Sequence, residues 1–150
     1  MTDASFAWPV RVYFEDTDTG GVVFHANYLN FLERARTEWL RARGVSQRAL
    51  AAERGLLFAI ADLEIRFLVP ARLDDELLVT CELARKGGAS MEFRQQIIRN
   101  GDNAVLADAR VRAACLDAAS FRPQPLPEDL VLGGETAVAS PTNQKKPASR

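Results

Sequence analysis

One histidine, two cysteines and a net charge of −1 leave little room in this 150-residue chain for several common kinds of chemistry. Cys81 and Cys115 sit in strand-like segments, with no other Cys or His at metal-binding spacing, so neither a zinc site nor a disulfide framework is expected. Both read as small buried residues. A near-zero charge and a pI near 5.9 give no basic face for DNA or RNA. No apolar run approaches the roughly 20 residues of a membrane span. The first residues, Met-Thr-Asp-Ala-Ser-Phe-Ala-Trp-Pro, lack a basic segment followed by an apolar one, so no secretory signal is expected and the cytoplasm is the expected address.

Motifs are missing too. There is no Gly-x-Ser-x-Gly elbow, and neither cysteine has a histidine near it in sequence, so serine- and cysteine-type acyl chemistry lacks a nucleophile. Neither a Walker loop nor a Gly-x-Gly-x-x-Gly after a strand is found, which removes the commonest phosphate cradles.

What remains is one core-sized domain of 47% hydrophobic and 26% charged residues. Val10-Arg11-Val12-Tyr13-Phe14 alternates with the period of a strand and runs into the turn chemistry of Asp16 to Gly21. From Asn27, read as an N-cap, Tyr28, Phe31, Leu32, Ala35 and Trp39 recur at helical spacing until Gly44. Leu29 and Leu40 widen that apolar arc to roughly half the circumference, which suits a helix embraced by a curved sheet. Arg36 falls inside the arc and Glu33 at its margin, a placement that favours structural pairing in the core or at a subunit seam. A second, shorter helix is expected between Ser46 and Gly55.

Residues 58–69, 76–85, 91–99 and 104–116 then read as four strands, separated by 70–75, 87–88 and the Asn-Gly turn at 100–103. Strand, long helix, short helix and four strands predict an α+β domain with an antiparallel sheet. Five of the seven prolines follow Arg122, so residues 1–132 are assigned to the domain and 133–150 to a flexible tail, with 123–132 laid against the surface.

Chemistry concentrates at the entrance to the long helix. Asp16 and Asp18 alternate along the chain, so at most one faces any given cleft, and Gly20-Gly21 lets the backbone reverse close to a ligand. Such a stretch is also what a plain turn held by Asx-type bonds looks like, and a lone histidine often only packs. Free N–H groups and the dipole at a helix start, however, polarise a carbonyl placed there. With no rival nucleophile in the chain, a carboxylate within reach completes the minimum for acyl transfer, as nucleophile or as base for water.

The run Val-Tyr-Phe-Glu-Asp-Thr-Asp-Thr-Gly-Gly-Val-Val-Phe-His-Ala-Asn-Tyr (12–28), continuing into Phe-Leu-Glu-Arg-Ala-Arg-Thr-Glu (31–38), resembles the 4-hydroxybenzoyl-CoA thioesterase branch of the hotdog-fold superfamily. Within it, the sequence is most similar to the Tol-Pal-associated acyl-CoA thioesterases. The resemblance covers roughly residues 8–120 and omits the tail. It implies a hotdog fold, a curved antiparallel sheet wrapped around one long central helix, and hydrolysis of an acyl-CoA to free acid and CoA without a metal or redox cofactor. By the same resemblance Asp18 is the catalytic carboxylate, the His25 backbone N–H polarises the thioester carbonyl, and His25 and Tyr13 are site residues. Asp16 is read as a structural acceptor within the turn.

The family also implies a homodimer or homotetramer with each site shared across a subunit interface. Arg85, Lys86 and Ser90, around Gly87-Gly88, become the candidates for the CoA phosphates, although such a hairpin is also a common solvated turn. Trp39, Phe58 and Phe67 are expected, with the second subunit, to set the depth of the acyl pocket. Two other readings differ in chemistry. A hotdog dehydratase acting on 3-hydroxyacyl thioesters would carry His-Phe-Pro-Gly, whereas His25 is followed by Ala-Asn-Tyr. A non-catalytic scaffold binding acyl thioesters or acyl carrier protein would release no thiol.

Overall fold

A computed structural model describes residues 6–130. The tail expected over 133–150 lies outside the described residues, as do 131 and 132 at the end of the assigned domain. Five strands form a single antiparallel sheet: β1 (Phe6–Arg11), β2 (Leu56–Phe67), β3 (Glu76–Lys86), β4 (Ser90–Arg99) and β5 (Val105–Asp117). Their spatial order is β1-β3-β4-β5-β2. Between β1 and β2 run the long helix α1 (Asn27–Ala42) and the short helix α2 (Gln47–Arg54).

Two local expectations differ from what is seen. The first strand occupies Phe6–Arg11 rather than 10–14, and Phe14–Asp16 instead forms a single 3-10 turn. Pro9 hides this strand from sequence pattern, but β1 is an edge strand, where the missing N–H can be tolerated. Asn27 is the first residue of α1 and not its cap; the capping position is Ala26, with no side-chain bond. The end of α1 and the whole of α2 follow their signals. Gly44 takes φ +82°, Ser46 Oγ accepts the Ala49 N–H at 3.2 Å, and Gly55 closes α2 at φ +66°.

Strict alternation builds the inner face of the sheet. Leu77, Val79 and Cys81 of β3, Met91, Phe93, Gln95 and Ile97 of β4, and Ala107, Ala109, Val111, Ala113 and Cys115 of β5 are all buried. Against them α1 buries Tyr28, Phe31, Leu32, Ala35, Arg36, Trp39 and Leu40. Full burial of each large apolar chain among these contributes about 1.5–3 kcal/mol, so the helix is held by its arc rather than by its own propensity.

Two members of that interface are polar. Gln95, fully buried, donates through Nε2 to the Leu32 carbonyl at 3.1 Å and the Thr80 carbonyl at 3.2 Å. Its Oε1 accepts from Arg36 Nη1 at 3.1 Å. Burial pulls the Arg36 guanidinium below arginine's ordinary pKa, partly countered by nearby charge including Glu33. Glu33 itself is exposed and bonded to Thr37, so Arg36 has a structural role but its hydrogen-bond partner is Gln95.

β2 closes the other edge of the sheet. It pairs with β5 over its length, with a bulge between Ile60 and Asp62, and leaves Ile60 and Phe67 about half exposed. After β5 the chain docks rather than leaves: Gln124 N–H donates to Cys115, Leu126 N–H donates to Gly88, and Leu126 is buried. Among the described residues no helix is long and apolar enough to cross a membrane.

Candidate active site

Residues 16–24 fold as two short legs joined at Gly20-Gly21. Asp18 N–H donates to the Val22 carbonyl, Phe24 N–H donates to the Asp16 carbonyl, both at 2.9 Å, and Thr17 bridges Val23 between them. Gly21 takes φ +78°, the left-handed backbone that admits glycine without steric cost. The second leg is anchored to the sheet end by Val23 N–H to Ala71 at 2.9 Å and by a bridge from Val22 to Arg72. Tyr28, buried in the first turn of α1, accepts the Ala71 N–H on its hydroxyl at 3.0 Å, so helix and loop share one support.

The two aspartates separate as alternation requires. Asp16 is buried: Oδ2 accepts the Tyr13 N–H and Oδ1 accepts from Asn27 Nδ2, each at 2.8 Å. It is the structural acceptor expected from sequence. Asp18 is exposed, with Oδ1 held by the Gly20 N–H at 2.8 Å. No donor among the described residues reaches its Oδ2, so one carboxylate oxygen remains available for chemistry.

His25 ends the second leg immediately before α1, exposed and flanked by rings. Its imidazole lies 4.7 Å from the Phe24 ring and edge-on to Phe67 at 6.4 Å, and Phe67 packs on Tyr28 at 5.2 Å. Asn27, Tyr28 and Leu29 donate their backbone N–H groups to Phe24, His25 and Ala26. The His25 and Ala26 N–H groups find no acceptor among the described residues, and they stand at the positive end of a 16-residue helix. Tyr13 stands beside this loop: its N–H is fixed by Asp16, its side chain is 62% exposed, and Val12 before it bonds Asp75 at the start of β3.

Asp18, His25 and Tyr13 therefore gather at one end of the sheet, while Arg85, Lys86 and Ser90 do not join them. They flank the hairpin at the opposite end of β3, away by about 33 Å at 3.3 Å per residue. There Gly87 N–H donates to the Ser90 carbonyl at 2.8 Å. Of the expected pocket walls only Phe67 reaches the site. Trp39 lies about 18 Å along α1 from Asn27, edge-on to Phe93 at 5.2 Å, and Phe58 sits near the start of β2.

Sequence reading missed the role of Asn27. An Asn before a helical pattern is an N-cap signal, and only the fold reveals that Asp16, eleven residues earlier, has taken its amide. Phe24, adjacent in sequence to the histidine, is assigned no role by the sequence alone, and the structure leaves its ring 46% exposed beside the imidazole. A shallow groove on the outer sheet face is lined by Asp62, Glu64, Glu92, Arg110 and Arg112, whose charges pair with one another. Among the described residues no three His, Cys, Asp or Glu side chains gather as a metal site.

Residues 20–106 match the sequence model of the thioesterase superfamily. The acyl-CoA thioester hydrolase YbgC of Escherichia coli is 46% identical over 131 residues, covering 87% of this chain and 96% of that protein. The acyl-CoA thioesterase YbgC of Haemophilus influenzae is 45% identical over 130 residues, 87% of this chain and 94% of its own. Among solved structures, a probable thioesterase from Bartonella henselae superposes with a TM-score of 0.78 at 36% identity, over 83% of this chain and 100% of that one. A 4-hydroxybenzoyl-CoA thioesterase mutant bound to 4-hydroxybenzoyl-CoA gives 0.79 at 22% identity, over 85% and 96%, a likeness of fold. With this fold, and with the family model and full-length relatives in agreement, the chain belongs to the hotdog thioesterase superfamily.

Proposed function

We propose that this protein hydrolyses acyl-CoA thioesters to a free acid and CoA. The observation that carries the reading is the pairing, on one bonded loop, of a carboxylate with a free oxygen at Asp18 and unpaired N–H groups at a helix start, His25 and Ala26. The relatives named above as acyl-CoA thioesterases, which align over most of the chain, support it.

The thioester carbonyl oxygen accepts from the His25 N–H, which gains strength as negative charge builds on that oxygen. Asp18 either removes a proton from water as the water attacks the carbonyl carbon, or attacks that carbon itself to give an anhydride that water then opens. In both routes the C–S bond breaks and the CoA thiolate leaves. Free-edge geometry supports a second subunit. The exposed edge of β2 carries Ile60 and Phe67, and pairing with a copy of itself in antiparallel fashion covers both. Such a pairing also brings the Asp18 end of one protomer toward the 87–89 hairpin of its partner. Arg85, Lys86 and Ser90 then face the CoA phosphates from across the interface.

Thiol release from a panel of short-chain, long-chain and aromatic acyl-CoAs tests the assignment. The native protein is expected to turn over at least one class, and Asp18→Asn to abolish turnover while the fold and CoA binding persist. Full turnover by Asp18→Asn would remove Asp18 from the chemistry, and no release from any class would overturn the hydrolase reading.

A further inference from the structure

Two donors meet on the Asp16 carboxylate. Oδ2 takes the N–H of Tyr13, the residue that precedes the 3-10 turn, and Oδ1 takes the Asn27 side chain from the first turn of α1, each at 2.8 Å. The Asp16 carbonyl takes the Phe24 N–H at 2.9 Å, with Asn27 Nδ2 also approaching at 3.5 Å. Asn27 is oriented in turn, because its Oδ1 accepts from Asn30 Nδ2 at 3.0 Å. Asp18 lies two residues beyond Asp16, and His25 lies two residues before Asn27.

On the hydrolase reading above, we infer that Asn27 is a positioning residue: its bond to Asp16 fixes the distance between the Asp18 carboxylate and the N–H groups of His25 and Ala26. Among the described residues no other side-chain hydrogen bond ties the first leg of the loop to the helix. Backbone bonds hold the two legs together and carry the second leg into α1 through Asn27 N–H to Phe24, whereas the Asn27 side chain reaches across to the first leg, which carries Asp18. Capping is not what Asn27 supplies, since the cap position is Ala26 and makes no side-chain bond. Asn30 is exposed and can follow a change at position 27.

The chemistry of the pair offers its own control. Asn27→Asp sets a second carboxylate against Asp16, so the tie becomes a repulsion, yet an acid in the first turn of a helix is favourable for the helix itself. Activity and stability are thereby pushed in different directions. Adding Asp16→Asn reverses donor and acceptor. The new amide at position 16 donates to the carboxylate at position 27 and still accepts the Tyr13 N–H through its oxygen.

Asn27→Asp is expected to lower kcat on the order of 10- to 100-fold, the size of a loss from sub-ångström to ångström misplacement of reacting groups, with KM moved by less than about threefold. Its kcat should recover relative to the native protein as pH falls toward about 5, where one of two adjacent carboxyls protonates and can donate to the other. The double variant Asp16→Asn/Asn27→Asp is expected to return kcat to within about threefold of native at neutral pH. Native kcat in Asn27→Asp, or a double variant as slow as the single, would overturn the inference. Should Asn27→Asp not fold, Asn27→Ala removes the tie without adding charge and carries the same kcat expectation. Asp18→Asn run alongside separates the two claims: an inactive Asp18→Asn beside a fully active Asn27→Asp sinks the positioning role alone.

Discussion

Replacing Gln95 by Leu should cost more stability than replacing its charged partner, and the two effects should not add. Gln95→Leu removes the donor from the Leu32 and Thr80 carbonyls, at about 0.5–1.5 kcal/mol each. It also strips the buried Arg36 guanidinium of its neutral hydrogen-bond acceptor, and a hydrogen bond to a charged group contributes about 1.5–3 kcal/mol. Packing an apolar chain in the vacated space returns about 1–2 kcal/mol, for a net loss of about 1.5–4 kcal/mol. Arg36→Met leaves only the Gln95 oxygen unmatched and removes the desolvated cation, so its cost is about 0–2 kcal/mol. In Gln95→Leu/Arg36→Met no charge is orphaned, and the loss falls to about 1–3 kcal/mol, smaller than for Gln95→Leu alone. Urea unfolding of all four proteins at one protein concentration measures this, since an oligomer's midpoint shifts with concentration. Losses that add to within about 0.5 kcal/mol would refute the coupling, as would a Gln95→Leu cost below about 1 kcal/mol.

A Cβ at Gly20 would stand 3.2 Å from Asp18 Oδ1, and the Gly20 backbone is not left-handed. Gly20→Ala should therefore nudge the carboxylate and lower kcat about 3- to 10-fold with Tm unchanged, whereas Gly21→Ala, at φ +78°, should lower Tm. Paired kinetics and thermal melts separate the two. At the far end of the sheet, the backbone N–H of Ser120, at 2.8 Å, chiefly holds the Asp117 carboxyl below its ordinary pKa, with Ala119 N–H assisting. A carboxyl depressed by folding stabilises the native state above its unfolded pKa near 3.8 and loses that contribution as pH falls through the folded value. The Tm gap between native protein and Asp117→Ala, followed from pH 7 to pH 3, should thus narrow below about pH 4; a constant gap would refute it.

The long elements were legible because their signals are redundant. α1 carries an apolar arc, α2 carries Ser46 and Gly55 at its two ends, and β3 to β5 alternate between turn residues. β1 was misplaced because Pro9 masks a strand whose edge position only the fold supplies. Gln95 escaped notice for a related reason. Inward positions 91, 93 and 97 are apolar, and a polar residue between them reads as outward until Arg36 is seen to need it. At the site, alternation foretold that Asp16 and Asp18 would separate, as they do, one buried and one exposed, while a catalytic role for Asp18 came only from the family resemblance. The tie from Asn27 was not legible, since its partner lies across a loop whose closure is a tertiary event.

The strand order also fixes when, during synthesis, this protein can take shape. The loop carrying Asp18 and His25 is made before its anchors, Ala71 and Arg72, which come some fifty residues later. β2 waits longer still, because its ladder partner β5 ends at Asp117. Until that residue has left the ribosome, the apolar arc of α1 has no completed sheet to cover it and β2 has no neighbour on either side. Pairings so distant in sequence form slowly and leave sticky surface in the interim. The loop that carries Asp18 and His25 is thus made well before the residues that hold it in shape.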